Sequence, residues 1–361
     1  MSCSPETLIR PEVLEQSAYA VSPAEGLIKL DAMENPYAWP ESLRQAWAEH
    51  LSGVAVNRYP DPRADALVRD LRSVMGIPQN AGVLLGNGSD ELIQILLMAL
   101  AAPGRVVMAP EPAFVMYRTV ARWLGMDYVG VPLREDFSLD LPALHRALEN
   151  HRPAVLFLAY PNNPTGNLWP RGAVEALIEA APGLVVVDEA YGPFADDSFL
   201  PMAGTHPRLL VMRTVSKLGL AGLRLGYLCG PAPWLGELDK VRLPYNINVL
   251  TQAAARFALE HHDVLESQAA AIRRDRGDLY RALQGLEGIT PFPSEANFIL
   301  FRTPPGRARA LFEGIRARGV LIKDLSGQGG VLADCLRVTV GTPGENARFL
   351  EALSGAMAQG G

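Results

Sequence analysis

Cysteine is scarce in this chain of 361 residues. Cys3, Cys229 and Cys335 are widely scattered. No two have metal-ligand spacing, and an odd, dispersed set suits a reducing compartment rather than a disulfide framework. An excess of basic residues is also missing. Lys+Arg 33 against Asp+Glu 39 leaves a formal charge of −6, which argues against a nucleic-acid partner held by general basicity. Local basic pockets for small anions stay open. Long apolar runs are lacking too: the longest, Ile95 to Ala102, falls far short of the ~20 residues of a membrane helix. Met1 to Gln16 has no basic stretch leading into an apolar core, so no signal peptide is expected. Repeats and low-complexity tracts are absent. With 48% hydrophobic and 20% charged residues, the chain has the composition of a folded protein, and without a signal peptide or membrane helix a cytoplasmic location is expected. Its length predicts two domains at about 150 residues each.

The middle of the chain alternates short β-rich runs with helical stretches. Strands are expected at Gly82–Leu85, Arg105–Ala109, Asp127–Val131, Ala154–Ala159, Leu184–Val187, Leu209–Arg213 and Arg224–Cys229. Most are unbroken runs of Val, Leu, Ile and Met, the pattern of strands covered on both faces. Helices are expected at Asp90–Ala101, Ala113–Leu124, Leu141–Asn150 and Arg171–Ala180, with Asp140 and Pro142 as cap and first turn of the third. Beyond Pro244 a long helical stretch, Val249 to Leu286, precedes a smaller α+β unit. The division expected is 1–58 as an N-terminal segment packed with the small domain and 59–250 as a large domain. A connecting helix then spans 251–285, and the small domain 286–361.

The chemically suggestive motifs all follow predicted strands, where open α/β sheets place ligands. Gly86-Asn87-Gly88-Ser89-Asp90-Glu91 begins like a dinucleotide fingerprint, but Glu91 replaces the third glycine. It is either a plain turn capped by Ser89 or Asp90, or a helix N-terminus offering N–H groups to a phosphate. Asp188-Glu189-Ala190-Tyr191 closes a run of three valines. Asp188 is either a cap or a buried carboxylate with a partner. Pro161-Asn162-Asn163-Pro164-Thr165-Gly166 reads as a tight turn whose amides could meet a ligand. Thr214-Val215-Ser216-Lys217 runs into a Gly-rich loop ending at Arg224. Lys217 is either an ordinary surface lysine or a desolvated amine fit for a Schiff base. The six histidines form no metal constellation, and no metal site is assigned.

Taken together and in this order, Asn163-Pro164-Thr165-Gly166, Asp188-Glu189-Ala190-Tyr191, Ser216-Lys217 and Arg224 resemble the fold-type-I pyridoxal-phosphate aminotransferases. Tyr19, Leu30 to Tyr37, Arg58-Tyr59-Pro60, Gly88 to Glu91, Phe114 to Tyr117 and Cys335 to Gly341 are similar to the histidinol-phosphate aminotransferases among them. That resemblance implies an α/β fold: a large domain with a mostly parallel seven-stranded sheet between helices, plus a smaller α+β domain. It also implies a homodimer with pyridoxal 5′-phosphate as cofactor. The reaction would be transamination between L-histidinol phosphate and 2-oxoglutarate.

In that family's terms Lys217 would form the Schiff base and move the proton. Asp188 would pair with the pyridine nitrogen, and Tyr191 and Asn163 with the phenolic oxygen. Phe114 would stack on the ring. Ser89, Asp90, Glu91, Thr214, Ser216 and Arg224 would hold the phosphate, with Tyr59 reaching it from a second subunit. Arg337 would grip glutamate's carboxylate, and Tyr19, Asn35 and Lys323 would add substrate contacts. Two departures stand out. The loop from Lys217 to Arg224 is one residue shorter than in the best-known relatives, and Lys323 replaces an arginine. Three rivals share the cofactor: a threonine-phosphate decarboxylase, an aminotransferase for aromatic or other amino acids, and a non-catalytic regulatory protein.

Overall fold

The computed structural model describes residues 4–18 and 22–359. A seven-stranded sheet forms its centre, with spatial order Ala81–Asn87, Leu225–Pro231, Leu209–Thr214, Leu184–Asp188, Val155–Ala159, Val106–Glu111 and Asp127–Pro132. All seven lie where the apolar runs put them. Leu225–Pro231 alone runs antiparallel to its neighbours; the other pairs are parallel. The unbroken apolar runs have their reason in the packing. Val155, Phe157, Val186, Leu210 and Met212 fill a core on one face. Leu156, Leu158, Val185, Val187 and Val211 fill another on the opposite face. Helices on both sides leave no face of these strands to water.

This topology gathers the motifs at one edge. Asn87, Glu111, Ala159, Asp188 and Thr214 end their strands there. Because Leu225 pairs with Asn87 across the antiparallel strand, Arg224 enters the sheet at the same edge. The helix Leu141–His151 is capped as the sequence suggests, with the Asp140 carboxylate accepting from the Ala143 N–H at 3.0 Å.

The C-terminal part builds a second core around an antiparallel sheet ordered Lys323–Asp324, Cys335–Thr339, Phe298–Arg302 and Thr290–Pro291. Helices Ala308–Ala317 and Pro343–Ala358 contribute Leu311, Ile315, Phe349 and Leu353 to it. Ile28–Lys29 pairs in parallel with Val320–Leu321, and the Thr339 N–H donates to the Leu30 carbonyl at 2.8 Å. The segment after Leu30 is thereby led from this second core toward the strand ends of the first.

The stretch read as helical from Val249 to Leu286 is divided at His261 into Val249–Glu260 and His262–Gln284. The two helices run through both cores. Ala255, Ala258, Leu259 and Leu265 belong to the first core, whereas Ala269, Ile272, Leu279 and Leu283 belong to the second. The change of core falls between Leu265 and Ala269, within the second helix. Among the described residues, no helix is long and apolar enough to cross a membrane.

Candidate active site

A pocket at the strand-end edge is lined by Met33, Ser89, Asp90, Phe114, Ala159, Pro161, Asn163, Asp188, Ala190, Tyr191, Thr214, Ser216, Lys217 and Arg224. Ten of the residues singled out from sequence thus line one cavity, although they come from six separate stretches of chain.

Lys217 sits in a 3-10 turn, Ser216–Leu218, directly after strand Leu209–Thr214. Its Nζ donates to the Ala32 carbonyl at 3.3 Å and lies 5.6 Å from the centre of the Tyr191 ring. Burial, reinforced by the positive charges of Arg337 and Arg224, lowers its pKa to about 8. An amine in that range has a substantial neutral fraction in mildly alkaline water, which an ordinary surface lysine does not.

Asp188 ends a fully buried strand and is itself 4% exposed. Tyr117 donates its hydroxyl proton to Oδ2 at 2.5 Å, and the Ala190 N–H donates to Oδ1 at 3.0 Å. Asp188 is therefore a partnered buried carboxylate, not the cap of a long helix. Burial raises its pKa to about 6 against the opposing pull of those two hydrogen bonds. Glu189 points the other way, into an ion pair with Arg213 at 2.7 Å, and also accepts from the Phe199 N–H. That pair anchors the strand end on which Asp188 sits.

Arg337, 6% exposed, is not among the lining residues and touches the pocket wall through Asn163. It donates to Asn163 Oδ1 at 2.6 Å and to the Asp31 carbonyl at 3.3 Å, with the Phe298 ring 5.0 Å from its guanidinium carbon. Asn163 in turn donates to the Tyr191 hydroxyl at 3.3 Å. Lys323 is the cross-strand neighbour of Arg337, so both cations lie on one face of the second sheet.

The remaining wall is built for an anion. The helix Gly88–Leu100 points the free N–H groups of its first turn into the pocket beside Arg224 and the Thr214 and Ser216 hydroxyls. Gly88 has φ +76°, and a Cβ there would meet Arg224 Nη2 at 2.6 Å. At Gly226 a Cβ would meet the Ser89 nitrogen at 2.9 Å. Bare backbone at both glycines keeps the cradle open. Arg224 is held at φ +48° and pairs with Asp90 at 3.1 Å. The carboxylate of Glu91 turns back to the Asn87 N–H at 2.6 Å, and Glu91 is not among the residues lining the pocket.

Other expected residues lie elsewhere. Asn35 has its amide spent inside the chain, on the Leu218 carbonyl (3.2 Å) and Gln268 (2.9 Å), while its oxygen accepts from the Tyr37 N–H. It braces the Lys217 turn. Tyr59 is 82% exposed and stacks on Tyr245 at 4.6 Å, outside the pocket its own chain lines. Tyr19 falls outside the described residues. Met33, whose left-handed backbone (φ +54°) is pinned by Thr339 and Asn297, lines the pocket without having been singled out. So do Pro161 and Ala190, which look like plain turn residues in the sequence.

The sequence pattern of the aminotransferases of class I and II matches residues 25–353. The chain belongs to this family. The aminotransferase is 60% identical to "Histidinol-phosphate aminotransferase 2" of Nitrosococcus oceani, over 96% of each chain. It is 54% identical to "Histidinol-phosphate aminotransferase" of Chromobacterium violaceum, over 98% of this chain and 99% of that one. Among solved structures, a histidinol-phosphate aminotransferase from Sinorhizobium meliloti in complex with pyridoxal-5′-phosphate superimposes with a TM-score of 0.87. It is 25% identical, with 98% of each chain covered.

Proposed function

We propose that this aminotransferase uses pyridoxal 5′-phosphate to move an amino group between L-histidinol phosphate and 2-oxoglutarate, giving imidazole-acetol phosphate and L-glutamate in histidine biosynthesis. What carries the reading is the convergence of a desolvated lysine, a buried carboxylate and an anion cradle in one pocket. The 60% identity to a histidinol-phosphate aminotransferase supports the substrate.

The residues present fit the cofactor. The N–H groups of Ser89, Asp90 and Glu91, the Ser216 hydroxyl and Arg224 would hold its phosphate, whereas the Thr214 hydroxyl, expected there too, spends its proton on Ser216 or the Leu225 carbonyl and orients Ser216 instead. Phe114 would cover the ring face, and Tyr191 and Asn163 would hydrogen-bond the phenolic oxygen. When bound, the cofactor supplies an electron-withdrawing ring that carries the amino group and disperses carbanion charge. Lys217 takes the proton from the substrate's Cα and returns it, a task suited to an amine with a pKa of about 8. Asp188 holds a proton at the ring nitrogen by its negative charge.

Arg337, oriented by Asn163, grips the carboxylate of glutamate or 2-oxoglutarate. Lys323 beside it takes the substrate's phosphate. Two cations placed opposite each other in a sheet repel. An anion between them removes that cost, which supports a doubly anionic or phosphorylated substrate.

The exposed Tyr59, stacked on Tyr245, and the exposed Val56, Leu243 and Leu250 close to them in sequence support a homodimer. In it, Tyr59 would complete the partner's phosphate cradle. The unpaired, buried Cys229 and Cys335 support a cytoplasmic location. The test is a substrate panel on the purified protein. Histidinol phosphate should convert the cofactor's absorbance band and 2-oxoglutarate should restore it; inert behaviour toward both would sink the proposal.

A further inference from the structure

Tyr117 has no place in the mechanism so far, yet it holds one of the shortest hydrogen bonds in the pocket wall. It lies on the helix Met116–Trp123 and is 0% exposed. Its ring is stacked on Phe157 at 4.3 Å with 9° between planes, and the Phe114 ring meets it edge-on at 5.7 Å. Packing on these rings fixes where the hydroxyl goes, and it goes to Asp188 Oδ2. Burial and the Asp188 charge hold the Tyr117 pKa well above 10, so the phenol keeps its proton and donates it.

We infer that Tyr117 is a positioning residue for the reaction. Its phenol, set behind the pocket wall, holds the Asp188 carboxylate ionised and fixes its orientation toward the ring nitrogen of the cofactor. This rests on the reading of Asp188 given above. The carboxylate needs such help. Burial pushes its pKa up to about 6, and the negative charges of Asp90 and Glu189 push the same way. Glu189 is offset by Arg213. Tyr191, Lys217 and Arg224 share the pocket with Asp188. The phenol and the Ala190 N–H are the two hydrogen-bond donors that oppose its protonation. A neutral Asp188 could not hold the ring-nitrogen proton by charge, and the proton between them would shift toward the carboxylate.

The experiment follows binding of pyridoxamine 5′-phosphate to apoprotein by fluorescence from pH 5 to 8. This probe has the ring nitrogen and phosphate but cannot bond covalently to Lys217. Native protein should lose affinity as pH falls, with a midpoint near 6. In Tyr117→Phe, which keeps the stacked ring, the midpoint should rise by about one pH unit, as expected for loss of a hydrogen bond to a charged group. Placing 3-fluorotyrosine at position 117 makes a stronger donor and should lower the midpoint. This second protein decides the matter even if Tyr117→Phe folds poorly. Asp188→Asn should abolish this acid limb, apart from the titration of the probe's own phosphate, which is common to all four proteins. If Asp188→Asn abolishes the limb but neither change at Tyr117 moves it, the role of Tyr117 is overturned while that of Asp188 stands. If Asp188→Asn leaves the limb intact, the reading of Asp188 fails and the inference fails with it.

Discussion

Replacing Arg337 by alanine removes a cation that is 6% exposed and anchored by Asn163 Oδ1 at 2.6 Å and the Asp31 carbonyl at 3.3 Å. These anchors hold the guanidinium in a fixed plane, so little ordering remains to be done when a carboxylate arrives. Truncating one partner of a buried, hydrogen-bonded charge pair costs about 2–5 kcal/mol. At about 1.4 kcal/mol per decade, kcat/KM for glutamate should fall by roughly thirty- to several-thousand-fold. Arg337→Lys keeps the charge but loses the planar fork and the simultaneous contact to Asn163, and should fall between alanine and the native residue. The assay is a single-turnover half-reaction with glutamate, followed by the cofactor's absorbance. Cofactor content and thermal midpoint should be measured alongside, to separate binding from folding. A loss of less than about threefold in Arg337→Ala would show that the carboxylate does not sit on this residue.

Other expectations concern the same pocket. Lys217→Ala should abolish turnover, and borohydride reduction of the native holoenzyme should place the cofactor on Lys217; a label on Lys240 would overturn the assignment. Because burial lowers the Lys217 pKa from 10.5 to about 8, the amine is neutral above pH 8. The rate at which apoprotein captures pyridoxal 5′-phosphate should therefore rise with pH around that value; a midpoint above 10 would contradict a desolvated lysine. Lys323→Ala should hurt histidinol phosphate more than glutamate, and equal losses would place the phosphate elsewhere. Arg213→Met leaves the fully buried Glu189 without its cation and should cost about 3–5 kcal/mol of stability in urea unfolding. A change under about 1 kcal/mol would mean that the pair does not anchor the strand end.

The strands and the site at their ends were legible because burial on both faces leaves a plain trace, unbroken apolar runs ending in polar residues. Asp188 and Arg224 each stand out as a charge where such a run stops or starts, and Lys217 follows in the motif just beyond one. Residues whose role depends on distant partners left no such trace. Tyr117 belongs to a stretch that resembles the family but carries no role there, and only the fold brings it against Asp188, 71 residues away in sequence. Asn35 sits in a motif that suggests substrate contact, yet its amide braces the Lys217 turn through Leu218 and Gln268. Nor does any glycine or proline mark the break at His261. The chain passes from the first core to the second only beyond that break, between Leu265 and Ala269.

The substrate is the centre of the account, and one comparison tests it most directly. The holoenzyme is mixed with L-histidinol phosphate or with L-histidinol, and conversion of the cofactor to its amine form is timed in a single turnover. Buried Arg337 and its cross-strand neighbour Lys323 face the substrate's anion together, and a ligand lacking that anion leaves both cations unpaired. A preference for the phosphorylated substrate of at least about a hundredfold is predicted. Equal rates with the two compounds would contradict the substrate assignment and leave only the aminotransferase chemistry standing.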